Sequence, residues 1–88
     1  MTIPTSAIDT ATTRVRYFAA AEERAGVAEE TRTEATLGEL RAALTSERPG
    51  LGALLPRCAV LVDGARVDDT HRFTGGATVD VLPPFAGG

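Results

Sequence analysis

One stretch of this chain has the marks of a long amphipathic helix, and the rest must be arranged to cover it. Thr36-Leu37-Gly38-Glu39 is a capping box: Thr36 serves as N-cap and Glu39 reaches back to the backbone. Leu37, Leu40 and Leu44 then recur at helical spacing, with Ala43 on the same face. Pro49-Gly50 stops the run, so the spacing predicts a helix over Leu37 to Glu47. A lone helix cannot bury its own stripe. The remaining segments are short and strand-like, so the leucine face must pack on one face of a small sheet. The expected fold class is α+β, with a mixed sheet of four to five strands and one main helix.

The strands are read from alternation. Thr13 to Ala19 puts Val15 and Tyr17 on one face and Arg14, Arg16 and Phe18 on the other. Phe18 on a face shared with two arginines is a misfit that marks an interface or a covered position. Ala20 to Ala25 reads as a helix of one or two turns closed by Gly26. Val27 to Arg32 reads as a polar edge strand. Leu51 to Arg57, with Pro56, reads as a loop with room for a helical turn. Cys58 to Val62 is almost continuously apolar, as in a central strand. Asp63-Gly64 signals a hairpin turn, and Arg66-Val67 starts the return. Thr78 to Leu82 is the last strand, with Val79 and Val81 inward and Thr78, Asp80 and Leu82 outward. If this strand lies beside the first, the pair is parallel. Phe18 and Leu82 then share one end of the face opposite the helix, and Asp80 comes near Arg16.

The last residues leave this frame. Pro83 and Pro84 fix φ and remove two backbone donors, so the chain must quit the sheet after Leu82. From Pro83 through Phe85 and Ala86 to Gly87-Gly88 an extended path spans about 20 Å. The two glycines carry no Cβ and fit a narrow channel. The expected organisation is a flexible extension over 1–12, a folded unit over 13–82, and an extended tail over 83–88.

Composition narrows the function classes. A net charge of −3 argues against a nucleic-acid footprint, and no apolar run reaches membrane-span length. The chain start lacks a signal-peptide pattern, which points to the cytoplasm. One cysteine and one histidine cannot form a disulfide or a structural zinc site within the chain. Cys58 reads as a small buried hydrophobe, and His71 as a solvated loop residue. All nine basic residues are arginine. Codon usage in a GC-rich genome accounts for that; the lack of lysine would also spare an activated acyl group from side-chain amines.

The run Val-Arg-Tyr-Phe-Ala from Val15, the Ala-Glu-Glu-Arg-Ala-Gly that ends at Gly26, the capped leucine helix, Val62-Asp63-Gly64 and the ending Leu-Pro-Pro-Phe-Ala-Gly-Gly resemble one family. The likeness, over Thr13 to Gly88, is to the small sulfur-carrier subunit of molybdopterin synthase, which has the ubiquitin-like β-grasp fold. The resemblance implies that an adenylating enzyme uses ATP to activate the Gly88 carboxylate, and that sulfur then converts it to a thiocarboxylate. The tail would enter the large subunit of molybdopterin synthase, which supplies the active site, so the chain is not an enzyme on its own and binds no cofactor. Gly88 is the modified residue by this analogy, Gly87 its slender neighbour, Phe18 and Leu82 the hydrophobic docking positions, and Pro83, Pro84, Phe85 and Ala86 the guiding segment. Arg66 stands roughly where the family can place a third apolar contact. Carriers for thiamine thiazole or cysteine biosynthesis share the fold and the terminal glycines. A β-grasp module that carries no sulfur, or a ubiquitin-like modifier, is the reading from a different class.

Overall fold

The computed structural model describes residues 12–84. The first strand, β1 (Thr13–Tyr17), buries every second residue: Thr13, Val15 and Tyr17 are inside, Arg14 and Arg16 outside. The last, β5 (Ala77–Leu82), does the same with Ala77, Val79 and Val81. Between them come α1 (Ala20–Ala25), β2 (Glu29–Arg32), α2 (Leu37–Glu47), α3 (Pro49–Leu54), a 3-10 turn (Leu55–Arg57), β3 (Ala59–Val62) and β4 (Ala65–Arg66). The five strands form one mixed sheet in the order β2-β1-β5-β3-β4. β1 and β5 are parallel, with Val15 opposite Val79 and Tyr17 opposite Val81; the other pairs are antiparallel. The edge position expected for the polar strand is where β2 lies, although it begins at Glu29 and not at Val27.

Helix α2 has the bounds its spacing predicts. The Thr36 hydroxyl accepts from the Glu39 N–H at 3.1 Å. The Glu39 carboxylate reaches one residue further back than the capping box requires, to the Ala35 N–H at 3.3 Å. Leu37, Leu40 and Leu44 are almost fully buried and share one core with Val15, Val60, Val79 and Val81. Burying a leucine side chain is worth roughly 1.5–3 kcal/mol, so this stripe is the main attachment of the helix to the sheet.

The segment expected to be a loop with room for a helical turn is helical throughout. Pro49 does end α2, but it also occupies the first turn of a new helix, where its missing N–H costs nothing. Leu51, Leu54 and Leu55 then reach the core. The close approach of α3 to α2 needs Gly52: a Cβ there would stand 2.8 Å from the Thr45 Cα. Apolar residues and a glycine fitted to a neighbour outweighed the breaker signal of Pro56.

At the edge, Glu30 ties β2 to the end of α2. It accepts from Arg48 Nη1 at 2.6 Å and Nη2 at 3.0 Å, and from the Tyr17 hydroxyl. Arg32 adds bonds to Glu34 at 2.7 Å and to Glu47 at 2.8 Å. The β3–β4 turn is tight because Asp63 and Gly64 both adopt positive φ, 49° and 84°, as a two-residue hairpin turn requires.

Candidate docking groove

Because β1 and β5 run in parallel, their C-terminal ends lie side by side. The Phe18 N–H donates to the Val81 carbonyl at 3.2 Å, which carries the ladder one residue past β1. Phe18 is 39% exposed, one of two large apolar side chains so exposed among the described residues; the other is Val27. Leu82 and Pro83 are half-buried and Pro84 is exposed. These four line one groove with the 3-10 turn and the start of β3. The sheet ends at Leu82, so the chain departs from the groove itself. Phe85, Ala86, Gly87 and Gly88 lie outside the described residues, as does the expected extension apart from Thr12.

The groove is predominantly apolar. Its floor comes from β3 and β5, which pair antiparallel with Ala59 opposite Leu82. One wall is Phe18, Ala19 and Ala20, at the entry to α1. Ala19 sits at φ 51° and ψ −124°, a conformation that non-glycine residues seldom adopt. Arg57 and Arg66 are the charged side chains of the lining. The Arg16 guanidinium lies 5.7 Å from the Phe18 ring centroid and is bonded to Asp80, so a fixed cation sits over the ring.

Phe18, Leu82, Pro83 and Pro84, expected at a partner surface, lie together along this groove. Sequence reasoning missed Arg57, Cys58 and Ala59 as groove residues. The signal was available in the pairing: a last strand flanked on both sides must set the start of β3 beside Leu82. Cys58 is only partly buried; its Sγ–H donates to the Leu54 carbonyl at 3.3 Å, and burial pushes the thiol pKa up against a smaller opposing pull from Arg41. His71 is half-buried and packs edge-to-face on Phe73, with ring centroids 6.0 Å apart, so the expectation of a solvated side chain is corrected here. Its carbonyl accepts from the Leu37 N–H, which draws that loop against α2. Among the described residues there is no metal-binding cluster, and no helix long and apolar enough to cross a membrane.

No curated protein matches the chain. Among solved structures, SAMP1 from Haloferax volcanii superposes with a TM-score of 0.76 at 23% identity, covering 88% of this chain and 99% of its own. A protein from Pyrococcus furiosus, provisionally named molybdopterin converting factor subunit 1, gives 0.77 at 22% identity, covering 86% and 100%. A complex of subunits 1 and 2 of molybdopterin-converting factor from Helicobacter pylori contains a chain with a TM-score of 0.66 at 28% identity, covering 88% and 99%. The five-stranded sheet is thus the β-grasp arrangement. A profile of the ThiS family matches residues 15–88, and the chain belongs to that family of ubiquitin-like sulfur carriers.

Proposed function

We propose that this chain carries sulfur as a thiocarboxylate on Gly88 and delivers it, as the small subunit of molybdopterin synthase, to a pterin precursor held by the large subunit. An unactivated carboxylate is a poor electrophile. Adenylation by ATP in a separate activating enzyme releases pyrophosphate and gives Gly88 an AMP leaving group. Sulfide-level sulfur then attacks the acyl carbon, AMP departs as the leaving group, and the nucleophilic thiocarboxylate remains. Gly87 has no side chain to block the channel, and Pro83 to Ala86 guide the tail. The acid and base groups belong to the partners, so this chain is a sulfur-carrying subunit and no enzyme by itself.

The observation that carries the reading is the placement of an apolar groove, with Phe18 and Leu82 in it, at the point where the chain leaves the sheet. Docking there would aim the tail into whatever protein covers the groove. The Helicobacter pylori complex pairs a similar chain with subunit 2 of the same factor. The family match also favours a second pathway, thiamine thiazole synthesis, on the same chemistry.

The test is intact mass after incubation with ATP, the activating enzyme and a sulfur donor. A gain of the oxygen-to-sulfur difference at the C-terminus is expected, and an unchanged mass overturns the carrier reading. Deleting Gly88 should abolish the gain and leave the melting temperature unaltered. Copurification with the molybdopterin synthase large subunit or with thiazole synthase separates the two pathways.

A further inference from the structure

The nine basic residues divide by what they bond to. Arg14, Arg16, Arg32, Arg41 and Arg48 have carboxylate partners within ion-pair distance. Arg24 donates to the Gly50 carbonyl at 2.9 Å. Arg57, Arg66 and Arg72 have no such partner among the described residues. Two of these three line the groove. This is notable in a chain where acids outnumber bases 12 to 9. No acidic side chain of the described residues lines the groove, and Asp80 on the same sheet face is taken up by Arg16.

The two arginines come from different elements. Arg57 ends the 3-10 turn, and Arg66 sits in β4 opposite Leu61. Both are exposed. Their guanidiniums are always charged and offer forked donors that match a carboxylate. A docked apolar surface would strip their water and return nothing, which is costly for a cation. A surface bearing carboxylates would replace that water with charge-assisted bonds and would also be steered to the groove.

We propose that Arg57 and Arg66 select the partner: the groove takes a protein segment with an apolar side chain against Phe18 and Leu82 and carboxylates against the two guanidiniums. This rests on the reading that the groove is where the sulfur-accepting protein docks. The arginines choose among acceptors of similar shape, and the apolar contact supplies the common part of the affinity.

The test compares wild type, Arg57→Glu/Arg66→Glu and Arg72→Glu by calorimetric titration at low and high salt. The molybdopterin synthase large subunit and thiazole synthase are titrated separately, and the one that binds wild type is used throughout. All three substituted positions are exposed, so circular dichroism should show unaltered melting. The double variant should bind at least ~10-fold more weakly at low salt, with its salt dependence reversed because like charges now face each other, whereas Arg72→Glu, away from the groove, stays within about twofold. Milder weakening by Arg57→Gln/Arg66→Gln supports the same conclusion. Double-variant binding equal to wild type at low salt overturns the proposal, as does failure of both proteins to bind wild type. So does a wild-type dimer that the double variant abolishes without altering acceptor binding. If thiazole synthase binds and the large subunit does not, the molybdopterin reading falls while the arginine comparison still decides this one.

Discussion

Arg16 and Asp80 meet across the parallel β1–β5 pair through two bonds, Nε to Oδ1 at 2.6 Å and Nη2 to Oδ2 at 3.0 Å. They are opposite each other in the ladder, and the next residues on that face are Phe18 and Leu82. The pair therefore stands immediately behind the groove. Hydrogen bonding to Asp80 raises the Arg16 pKa, so the guanidinium stays charged and fixed beside the Phe18 ring.

Asp80→Ala should free Arg16 to swing away from the ring. Exposed ion pairs add little to stability, so the melting temperature should move by no more than a few degrees. Partner association should weaken about three- to tenfold, because Phe18 loses its backing. Calorimetric titration checks this, and an unchanged affinity would show that Phe18 is held without the pair.

Glu30 sets an acid-side dependence of stability. Its pKa is lowered, chiefly by the Arg48 hydrogen bonds and against the opposing effect of burial. A carboxyl with a depressed folded pKa contributes fully above its ordinary value of 4.5 and loses that contribution as pH falls through the folded value. Unfolding free energy should thus be flat near neutrality and drop on acidification. Glu30→Gln should lower neutral-pH stability by about 2 kcal/mol and make the acid-side drop shallower. Urea unfolding across pH measures both; an acid limb as steep as wild type would assign it to other carboxyls.

Gly52→Ala should be costly for its size. The added methyl would meet Thr45 Cγ2 at 2.6 Å and its Cα at 2.8 Å, forcing α2 and α3 apart. A loss of about 2 kcal/mol is expected from overpacking. Gly50→Ala is the control, since its Cβ would meet only the Arg24 Cδ at 3.7 Å. Equal stability of the two variants in urea would contradict the tight crossing.

Cys58 should alkylate slowly. Its raised pKa leaves little thiolate at neutral pH, and its Sγ–H is engaged by the Leu54 carbonyl. Iodoacetamide labelling followed by mass should run several-fold slower than for an unstructured thiol and speed up on denaturation. Cys58→Ala should accept the terminal mass gain like wild type. Rapid labelling of the folded protein would point to a reactive thiol at the groove.

The legible part of the fold was whatever followed one period. Val15, Tyr17, Val79 and Val81 alternate, and Leu37, Leu40 and Leu44 keep helical spacing, so their burial could be read directly. The Arg16–Asp80 pair followed once β1 and β5 were placed side by side. Helix α3 was hidden because Pro49, Gly50, Gly52 and Pro56 are breakers taken singly. Only the neighbouring Thr45 shows why a glycine belongs at 52. Glu30 was legible only as one polar residue of an edge strand, because its partner Arg48 comes from another element, beyond the reach of local pattern. The groove was half legible: Phe18 and Leu82 stood out as apolar residues on a polar face, whereas Arg57 reached it through the turn after the unforeseen helix.

The placement of β5 between β1 and β3, parallel to the first and antiparallel to the second, bears on how the domain withstands tension. A pull on the segment after Leu82 acts along the strand axis, so the ladders on both flanks are sheared as a group and cannot unzip one rung at a time. A domain anchored this way resists a pull on its trailing strand without being unravelled from that end.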